Sequence, residues 1–458
     1  MRRSIGGAFS AAVVFALAAC GGGGGGGGGG ALLPIGVVQA PAPTPAPPAP
    51  PAVAEVSLAV EVGGSPATPD GSGKYIVVPG QQVVVKAEEN VAWLGSAQGS
   101  GVTRTDVDTS ATRWVSRFAN PGTTDGSYKL VADASGGRTK EVNFVVRTGD
   151  YRNGDYMVYA ANGSRQTLSI DFDKKTYEVT DAAGDKTSGS FNPSGTRWGF
   201  LSSRITGINN ATFVTLKDNI VGAFPFAVPY SAPVTYSAAP FVATRAFVLT
   251  QAKLDGTYDR ARIEISATGR ESAIAQIQIS GGGTVMKQCT DLVIYRVEHC
   301  PAASLATSSI EPDPVAGQWI LKNPVSGATI GRFAIADVEG DKVYLSGGFT
   351  PASNSQILAI GVPAAASYPA FNAYGWATDN SVILSFVSDT QYVVSPTSPT
   401  LQTIMQLSNL NSDGPPGIRG AINGADVYFV MRSSKIDLLI GARSQPVTRG
   451  FLHIGVIE

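Results

Sequence analysis

The sequence is poor in the residues from which most enzyme and metal sites are built. Its 458 residues include only two histidines and three cysteines, and charged residues make up 15% of the chain. His299 and His453 are too few for a histidine-based zinc cluster. No Gly-x-Ser-x-Gly elbow occurs, and the net charge of −1 provides no basic field for nucleic acid. We therefore expect a protein that is not an enzyme, uses no metal or other cofactor and has no nucleic-acid partner.

Glycine, proline and small β-forming residues are abundant instead. The chain contains 54 glycines and 29 prolines, whereas the residues that favour helices are scarce. No stretch repeats its apolar residues with a helical period, and short alternating runs separated by turn residues recur along the chain. The sequence therefore predicts an all-β protein, and its length predicts about three domains.

The first residues have the layout of a secretory signal. Arg2 and Arg3 precede a mostly apolar run from Ile5 to Ala16, which is too short to cross a bilayer as a stable helix. The Leu-Ala-Ala-Cys sequence that ends at Cys20 resembles the lipobox of bacterial lipoproteins. This resemblance implies that residues 1–19 are removed and that Cys20 is acylated, which would make the membrane a partner through a lipid anchor. The alternative is an ordinary secreted protein with a chance cysteine.

Residues 20–52 are predicted to form a lipidated linker. Gly21–Gly30 is a flexible tract, and Pro41–Pro51 favours polyproline II, so that together they span about 50 Å. The glycine run resembles those of Gram-negative surface lipoproteins of the transferrin-binding and factor-H-binding types, although codon-repeat expansion would also produce it. Gly21 stands where inner-membrane lipoproteins carry an aspartate. The resemblance thus implies the outer membrane, on its periplasmic face or at the cell surface.

Residues 53–148 are predicted to form a β-sandwich. Apolar residues alternate with polar ones from Val56 to Val62, and further short strands are separated by turns. Gly126-Ser127-Tyr128 resembles the approach to a tyrosine corner, so the segment is similar to a bacterial Ig-like domain. We expect Trp93 and Trp114 in its core.

The remainder is predicted to form two β-rich domains, 149–310 and 311–458, each barrel-like or sandwich-like, with one large β-domain as the alternative. Asn162-Gly163 predicts a hairpin, and Glu311-Pro312-Asp313-Pro314 marks the predicted boundary. Openings of the form Gly-x-aromatic, such as Gly256-Thr257-Tyr258, recur before strands. Over roughly residues 250–350, this pattern and the cysteine pair are loosely similar to uncharacterised proteobacterial surface lipoproteins, which implies no activity.

Cys289 and Cys300 are the candidates for a disulfide. An oxidising compartment favours the bond, but it requires Cα atoms within about 7 Å, whereas eleven extended steps span roughly 36 Å. Leu292 to Val297 has the composition of a strand. The chain must therefore bend before Cys300, or the two thiols stay free.

Phe224, Phe226 and Tyr230 form an aromatic, proline-rich stretch. We consider it a candidate surface for stacking a sugar or binding a protein, with packing beneath a loop as the alternative. The predicted function is a lipid-anchored outer-membrane or cell-surface protein with a binding, adhesion or envelope-structural role and a protein or glycan partner. One alternative is a lipocalin-like carrier, which would need an apolar cavity in the C-terminal half. Another is a histidine-independent hydrolase, which would need two carboxylates converging in a cleft.

Overall fold

The computed structural model describes residues 55–98, 101–106, 109–181, 184–204, 210–291, 295–315, 317–350, 353–365, 367, 369–396, 403–410 and 414–458. The predicted signal, the lipobox with Cys20 and the linker up to residue 52 lie outside the described residues.

The N-terminal module contains two β-sheets. Its strands are β1 (Leu58–Val62), β2 (Ser65–Pro66), β3 (Lys74–Val77), β4 (Gln82–Ala87), β5 (Val91–Gln98), β6 (Thr103–Asp106), β7 (Arg113–Ala119), β8 (Gly126–Ala134) and β9 (Arg138–Val146). The sheets have the orders β2-β1-β4-β7-β6 and β3-β9-β8-β5. Strands β3 and β9 run parallel, and the other pairs are antiparallel.

One core lies between these two sheets. Trp114 is buried, and its ring stacks at 6.1 Å on the rings of Tyr128 and Phe144 from the second sheet. Trp93 is only partly buried and packs at the edge of the same core. The prediction of a core position is therefore correct for Trp114, whereas Trp93 is less buried than predicted.

Three closed eight-stranded antiparallel barrels follow. The first contains β10 (Gly154–Ala160), β11 (Arg165–Asp171), β12 (Thr176–Thr180), β13 (Lys186–Ser194), β14 (Arg197–Leu201), β15 (Thr212–Leu216), β16 (Asn219–Ala227) and β17 (Tyr236–Thr244). The second contains β18 (Gly256–Ser266), β19 (Gly269–Ser280), β20 (Val285–Cys289), β21 (Leu305–Pro312), β22 (Trp319–Lys322), β23 (Thr329–Val338), β24 (Asp341–Thr350) and β25 (Ser355–Pro363). The third contains β26 (Phe371–Ala377), β27 (Val382–Val387), β28 (Gln391–Pro396), β29 (Thr403–Asn409), β30 (Arg419–Asn423), β31 (Asp426–Arg432), β32 (Ile436–Gly441) and β33 (Leu452–Ile457).

The sequence predicted two β-domains where three barrels are present, while the alternative of one large β-domain agrees with the single compact unit that Val53–Glu458 forms. The predicted boundary at residues 310 and 311 falls inside β21 of the second barrel. That barrel closes because β18 pairs with β25, in a register that places Ile263 opposite Leu358. Such pairing joins residues far apart in sequence, and local turn signals contain no information about it.

Aromatic side chains fill the first barrel. Phe224 and Phe226 in β16 are each 1% exposed and pack inside it with Phe200 and Phe241. The predicted aromatic binding surface is therefore wrong for Phe224 and Phe226, because the two-residue period of a strand turns both rings inward.

The outer faces of the three barrels share a second apolar core. It receives Val221 from the first barrel, Ile263 and Leu345 from the second, and Trp376 and Leu438 from the third. Strands at this junction are consequently buried on both faces, as the pattern of β32, buried at all six positions, illustrates. This double burial agrees with the low content of charged residues in the chain.

The predicted disulfide is confirmed. Cys289 ends β20, the Cα atoms of Cys289 and Cys300 lie 5.6 Å apart, and the two sulfur atoms are bonded. The chain turns back in the intervening loop, where Tyr295 has a φ of +56°, and a strand is absent from the described residues 295–297. The strand prediction for Leu292 to Val297 is wrong over that described part.

Helical structure in the described residues is limited to two 3₁₀ segments, Gln251–Leu254 and Ala302–Ser304. Neither has the length or apolar content of a membrane-crossing helix.

Candidate functional site: the cleft between the first and second barrels

A cleft of about 780 Å³ lies where the first barrel meets the second. Small-molecule sites typically occupy about 300–1,000 Å³. Two strands of the first barrel, β10 and β11, form one wall with their hairpin, and β23, β24 and β25 of the second barrel form the other. The side chains and glycines that line it are Met157, Asn162, Gly163, Ser164, Arg165, Gln166, Thr167, Thr180, Asp181, Ala227, Pro229, Gly331, Arg332, Gly347, Gly348, Phe349 and Gln356.

Arg165 dominates the wall of the first barrel. Its guanidinium donates a hydrogen bond to the side-chain oxygen of Gln318 in the second barrel, and lies 5.9 Å from the ring centre of Tyr159. Within the described part of the chain, no carboxylate forms an ion pair with Arg165. Its direct contacts are therefore a neutral amide and an aromatic ring, while its charge helps to lower the pKa of Asp313.

The wall of the second barrel has little side-chain bulk at its centre. A Cβ atom at Gly347 would lie 3.6 Å from Cγ of Arg165, which is van der Waals contact, so the glycine backbone lies directly against the arginine stem. Phe349 is 52% exposed and stands opposite Gln356 in the adjacent strand. Arg332 is half exposed, and its Nε donates a 2.8 Å hydrogen bond to Asp313.

The β10–β11 hairpin fixes the cleft at one end. Gly163, at its tip, has a φ of +78°, and a Cβ atom there would lie 2.4 Å from Cβ of Gln356. The side chain of Asn162 stabilises the turn by accepting hydrogen bonds from the backbone and hydroxyl of Ser164. The sequence predicted this hairpin correctly, and its tip contacts the second barrel.

Tyr230 is the one member of the predicted aromatic surface that reaches solvent. It is 44% exposed, and its hydroxyl donates a 2.8 Å hydrogen bond to the carbonyl of Asn354 in the second barrel. Its neighbour Pro229 lines the cleft. Tyr230 therefore lies beside the cleft and ties the two barrels together.

Sequence reasoning missed Arg165, Arg332 and Phe349, because an arginine or a phenylalanine in a strand has no distinctive local signature. A signal was nevertheless present in β24. Gly347 and Gly348 interrupt an apolar strand, and glycine inside a strand often marks the close approach of a ligand or another backbone.

A second polar cluster lies inside the third barrel. Tyr392, Asp437 and His453 are fully buried, and Ser385 is 4% exposed. Burial raises the pKa of Asp437 to about 7 and lowers the pKa of His453 to about 3. This enclosure is typical of a histidine with a structural role. No group of three or more His, Cys, Asp and Glu side chains suited to a metal ion occurs in the part of the chain that the structure describes.

A buried ionic cluster joins the N-terminal module to the first barrel. Arg245 donates a 3.0 Å hydrogen bond to Asp218, and Arg117 of β7 lies 3.6 Å from the same carboxylate. Arg245 also donates to the carbonyls of Tyr151 and Asn153. Burial lowers the pKa of Arg117 to about 10, although Asp218 opposes the shift. A cavity of about 220 Å³ adjoins this cluster. The contacts of the cluster connect the N-terminal module to the first barrel.

Comparisons with known proteins give no family. No protein-family model matches the chain, and no curated protein matches it. A DUF4784 family protein from Bacteroides caccae is 10% identical, with a TM-score of 0.18 over 84% of this chain and 93% of that chain. A transferrin binding protein B mutant from Haemophilus parasuis is 7% identical, with a TM-score of 0.11 over 87% of this chain and 94% of that chain. Values this low support no inference about fold or function.

Proposed function

We propose that this chain is a lipid-anchored, non-catalytic binding protein of the outer membrane or cell surface, and that the cleft between its first two barrels is the binding site. The observation that carries the proposal is the contrast between the cleft and the barrels. The cleft is open and its lining combines polar side chains such as Arg165 and Gln356 with apolar ones such as Met157, whereas side chains fill the interiors of the barrels.

This contrast favours surface binding over a lipocalin-like carrier. A carrier of hydrophobic molecules needs an apolar cavity within a barrel. In the second barrel, Tyr258, Trp319 and Phe333 occupy the interior with aliphatic neighbours. In the third barrel, Tyr392 and Met405 occupy the corresponding space.

The chemistry of the lining favours binding over hydrolysis. Glycoside hydrolysis uses two carboxyl groups about 5–10 Å apart on either side of the substrate. Asp181 is the one carboxylic acid among the residues that line the cleft. Neither His299 nor His453 is among the residues that line the cleft.

The anchor is proposed from the sequence. Cys20 closes a lipobox-like motif, and the glycine and proline tracts after it would place the folded modules about 50 Å from the membrane. We propose that residues 53–148 are an Ig-like spacer, a proposal that the two packed sheets around Trp114 support.

Localisation is the experiment that tests this function. The full chain and a Cys20→Ser variant are expressed in a Gram-negative host, and cells are fractionated after a salt wash. The full chain should remain with the outer membrane, and the variant should be soluble, because acyl chains contribute about 0.8 kcal/mol per buried CH₂.

Protease treatment of intact cells, with and without a permeabilised outer membrane, then distinguishes the cell surface from the periplasmic face. A Cys20→Ser variant that still sediments with salt-washed membranes would show that the anchor is wrongly assigned.

A further inference from the structure

We propose that the cleft binds an acidic oligosaccharide, held by Arg165 and Arg332 on facing walls and by the exposed ring of Phe349. This inference rests on the proposed binding function and names its ligand class.

The two arginines give the cleft its preference for negative charge. Arg165 forms no ion pair with a described carboxylate and contacts the neutral side chains of Gln318, Met157 and Tyr159, although its charge also helps to lower the pKa of Asp313. Arg332 uses its Nε atom for Asp313, and no described residue accepts from its two Nη groups. Arg332 is able to donate two parallel hydrogen bonds from its Nη groups to one carboxylate, whereas Arg165, whose Nη2 is bonded to Gln318 and whose Nε is buried, is able to add a single hydrogen bond from Nη1.

Phe349 provides a surface for the apolar face of a sugar ring. Its side chain is half exposed, although large apolar side chains in this protein are mostly buried. Gly347 and Gly348 precede it in β24, so the wall beside the ring is backbone. An exposed aromatic ring beside glycine backbone suits the apolar face of a sugar ring.

Neutral polar groups complete the site. Thr167 and Thr180 stand opposite each other in β11 and β12 on the wall of the first barrel, and Gln356 stands beside Phe349 on the other wall. No hydrogen bond to another described residue involves these three side chains. They are therefore free to exchange hydrogen bonds with sugar hydroxyls, whereas Asn162 and Ser164 already bond each other.

The topology favours a glycan over a peptide. Extended peptides commonly bind by adding a strand to an exposed sheet edge. Both walls belong to closed barrels, in which every strand is paired on both sides. An acidic peptide would have to bind through its side chains alone.

Titration calorimetry on the full chain, purified in mild detergent, tests the proposal. The acidic probes are tetragalacturonate and tetrasialic acid, maltotetraose is the neutral control of equal length, and tetraglutamate is the peptide control. We expect at least one acidic sugar to bind at least about tenfold more tightly than either control, and its binding to weaken as salt is raised.

Matched variants locate the site. Arg332→Gln should weaken acidic-sugar binding about tenfold by removing a charge-assisted contact, and Phe349→Ala should weaken it to a similar degree by removing the ring on which the sugar packs. Arg147→Gln removes an arginine of similar exposure that pairs with Asp125 in the N-terminal module. Phe386→Ala removes an exposed phenylalanine of the third barrel. Neither control should change the affinity.

Several results would overturn the assignment: no binding of either acidic sugar, equal binding of maltotetraose, tighter binding of tetraglutamate, or unchanged affinity in both cleft variants. Each would reject the ligand class or its site, while the fractionation and protease experiments would still decide the proposed anchoring and exposure independently.

Discussion

The hydroxyl of Tyr392 donates a 2.5 Å hydrogen bond to Oδ2 of Asp437 inside the third barrel, and both side chains are fully buried. Nδ1 of His453 lies 3.9 Å from the same oxygen. Ser385 also faces this carboxyl group, while Arg432 and Asp379 act on the pair from farther away. Near neutral pH, burial keeps His453 uncharged and favours the protonated form of Asp437.

These opposite shifts predict compensating effects on stability. Folding lowers the pKa of His453 from 6.5 to about 3. Its contribution to the free energy of unfolding is therefore fully present above pH 6.5 and is lost as the pH falls towards 3. Folding raises the pKa of Asp437 from 3.8 to about 7. Its contribution to the free energy of unfolding is therefore present below pH 3.8 and is lost as the pH rises through 7. Between about pH 4 and 6.5, the rise in the free energy of unfolding due to His453 and the fall due to Asp437 cancel.

Asp437→Asn should remove this compensation. Because only His453 then titrates, the free energy of unfolding of the third barrel should rise by several kcal/mol between pH 4 and 6.5, whereas that of the natural chain should change little over the same range. Hydrogen exchange of peptides covering Ile436–Gly441 measures this barrel separately. A variant whose exchange protection is as flat with pH as that of the natural chain would contradict the assignment.

The disulfide gives a second prediction. Cys289 and Cys300 close a short loop, and the bond should contribute about 3 kcal/mol by restricting the unfolded chain. The double variant Cys289→Ala, Cys300→Ala should melt at a lower temperature than the oxidised protein. Reduction should lower the melting temperature of the natural chain and leave that of the variant unchanged. Two thiols that react with an alkylating agent in the native oxidised protein would disprove the pairing.

The sequence allowed the β class, the Asn162-Gly163 hairpin and the disulfide to be predicted, because each follows from composition, local turn chemistry or compartment. It did not allow the number of barrels to be predicted, since closure depends on pairs such as Ile263 with Leu358. The cleft was missed for a related reason. Arg165 and Phe349 meet only after two barrels dock, and neither residue is unusual in its own strand.

Phe224 and Phe226 illustrate a different limit. Residues two apart share one face of a strand, so the spacing of the two phenylalanines is compatible with both rings facing solvent or with both rings facing the barrel interior. Only barrel closure decides which face is inside. The structure places both rings in the first barrel, whereas Tyr230, beyond the end of β16, remains exposed.

Asp218 should be required for docking of the N-terminal module. Its carboxylate lies between the guanidiniums of Arg117 and Arg245, whose side chains are only 5% and 6% exposed. Asp218→Asn leaves two buried cations without an anion, which should cost about 3–5 kcal/mol. Asp125→Asn disrupts an exposed pair with Arg147 and should cost at most about 1 kcal/mol. Limited proteolysis between residues 148 and 154 should accelerate only in the first variant, and equal rates would contradict this role.

Gly163 should be required for the contact between the first two barrels. Alanine there would suffer backbone strain at a φ of +78° and would also place its Cβ atom 2.4 Å from Cβ of Gln356 and 2.7 Å from the backbone nitrogen of Ile357. Gly195 is the matched control, because its φ is +65° and no atom lies within 4 Å of a Cβ added to it. Gly195→Ala should therefore cost only the strain, about 1–2 kcal/mol. Gly163→Ala should cost more and should also increase hydrogen exchange in β25, where the hairpin tip packs. If the two variants are destabilised equally and exchange in β25 is unchanged, the hairpin does not fix the cleft.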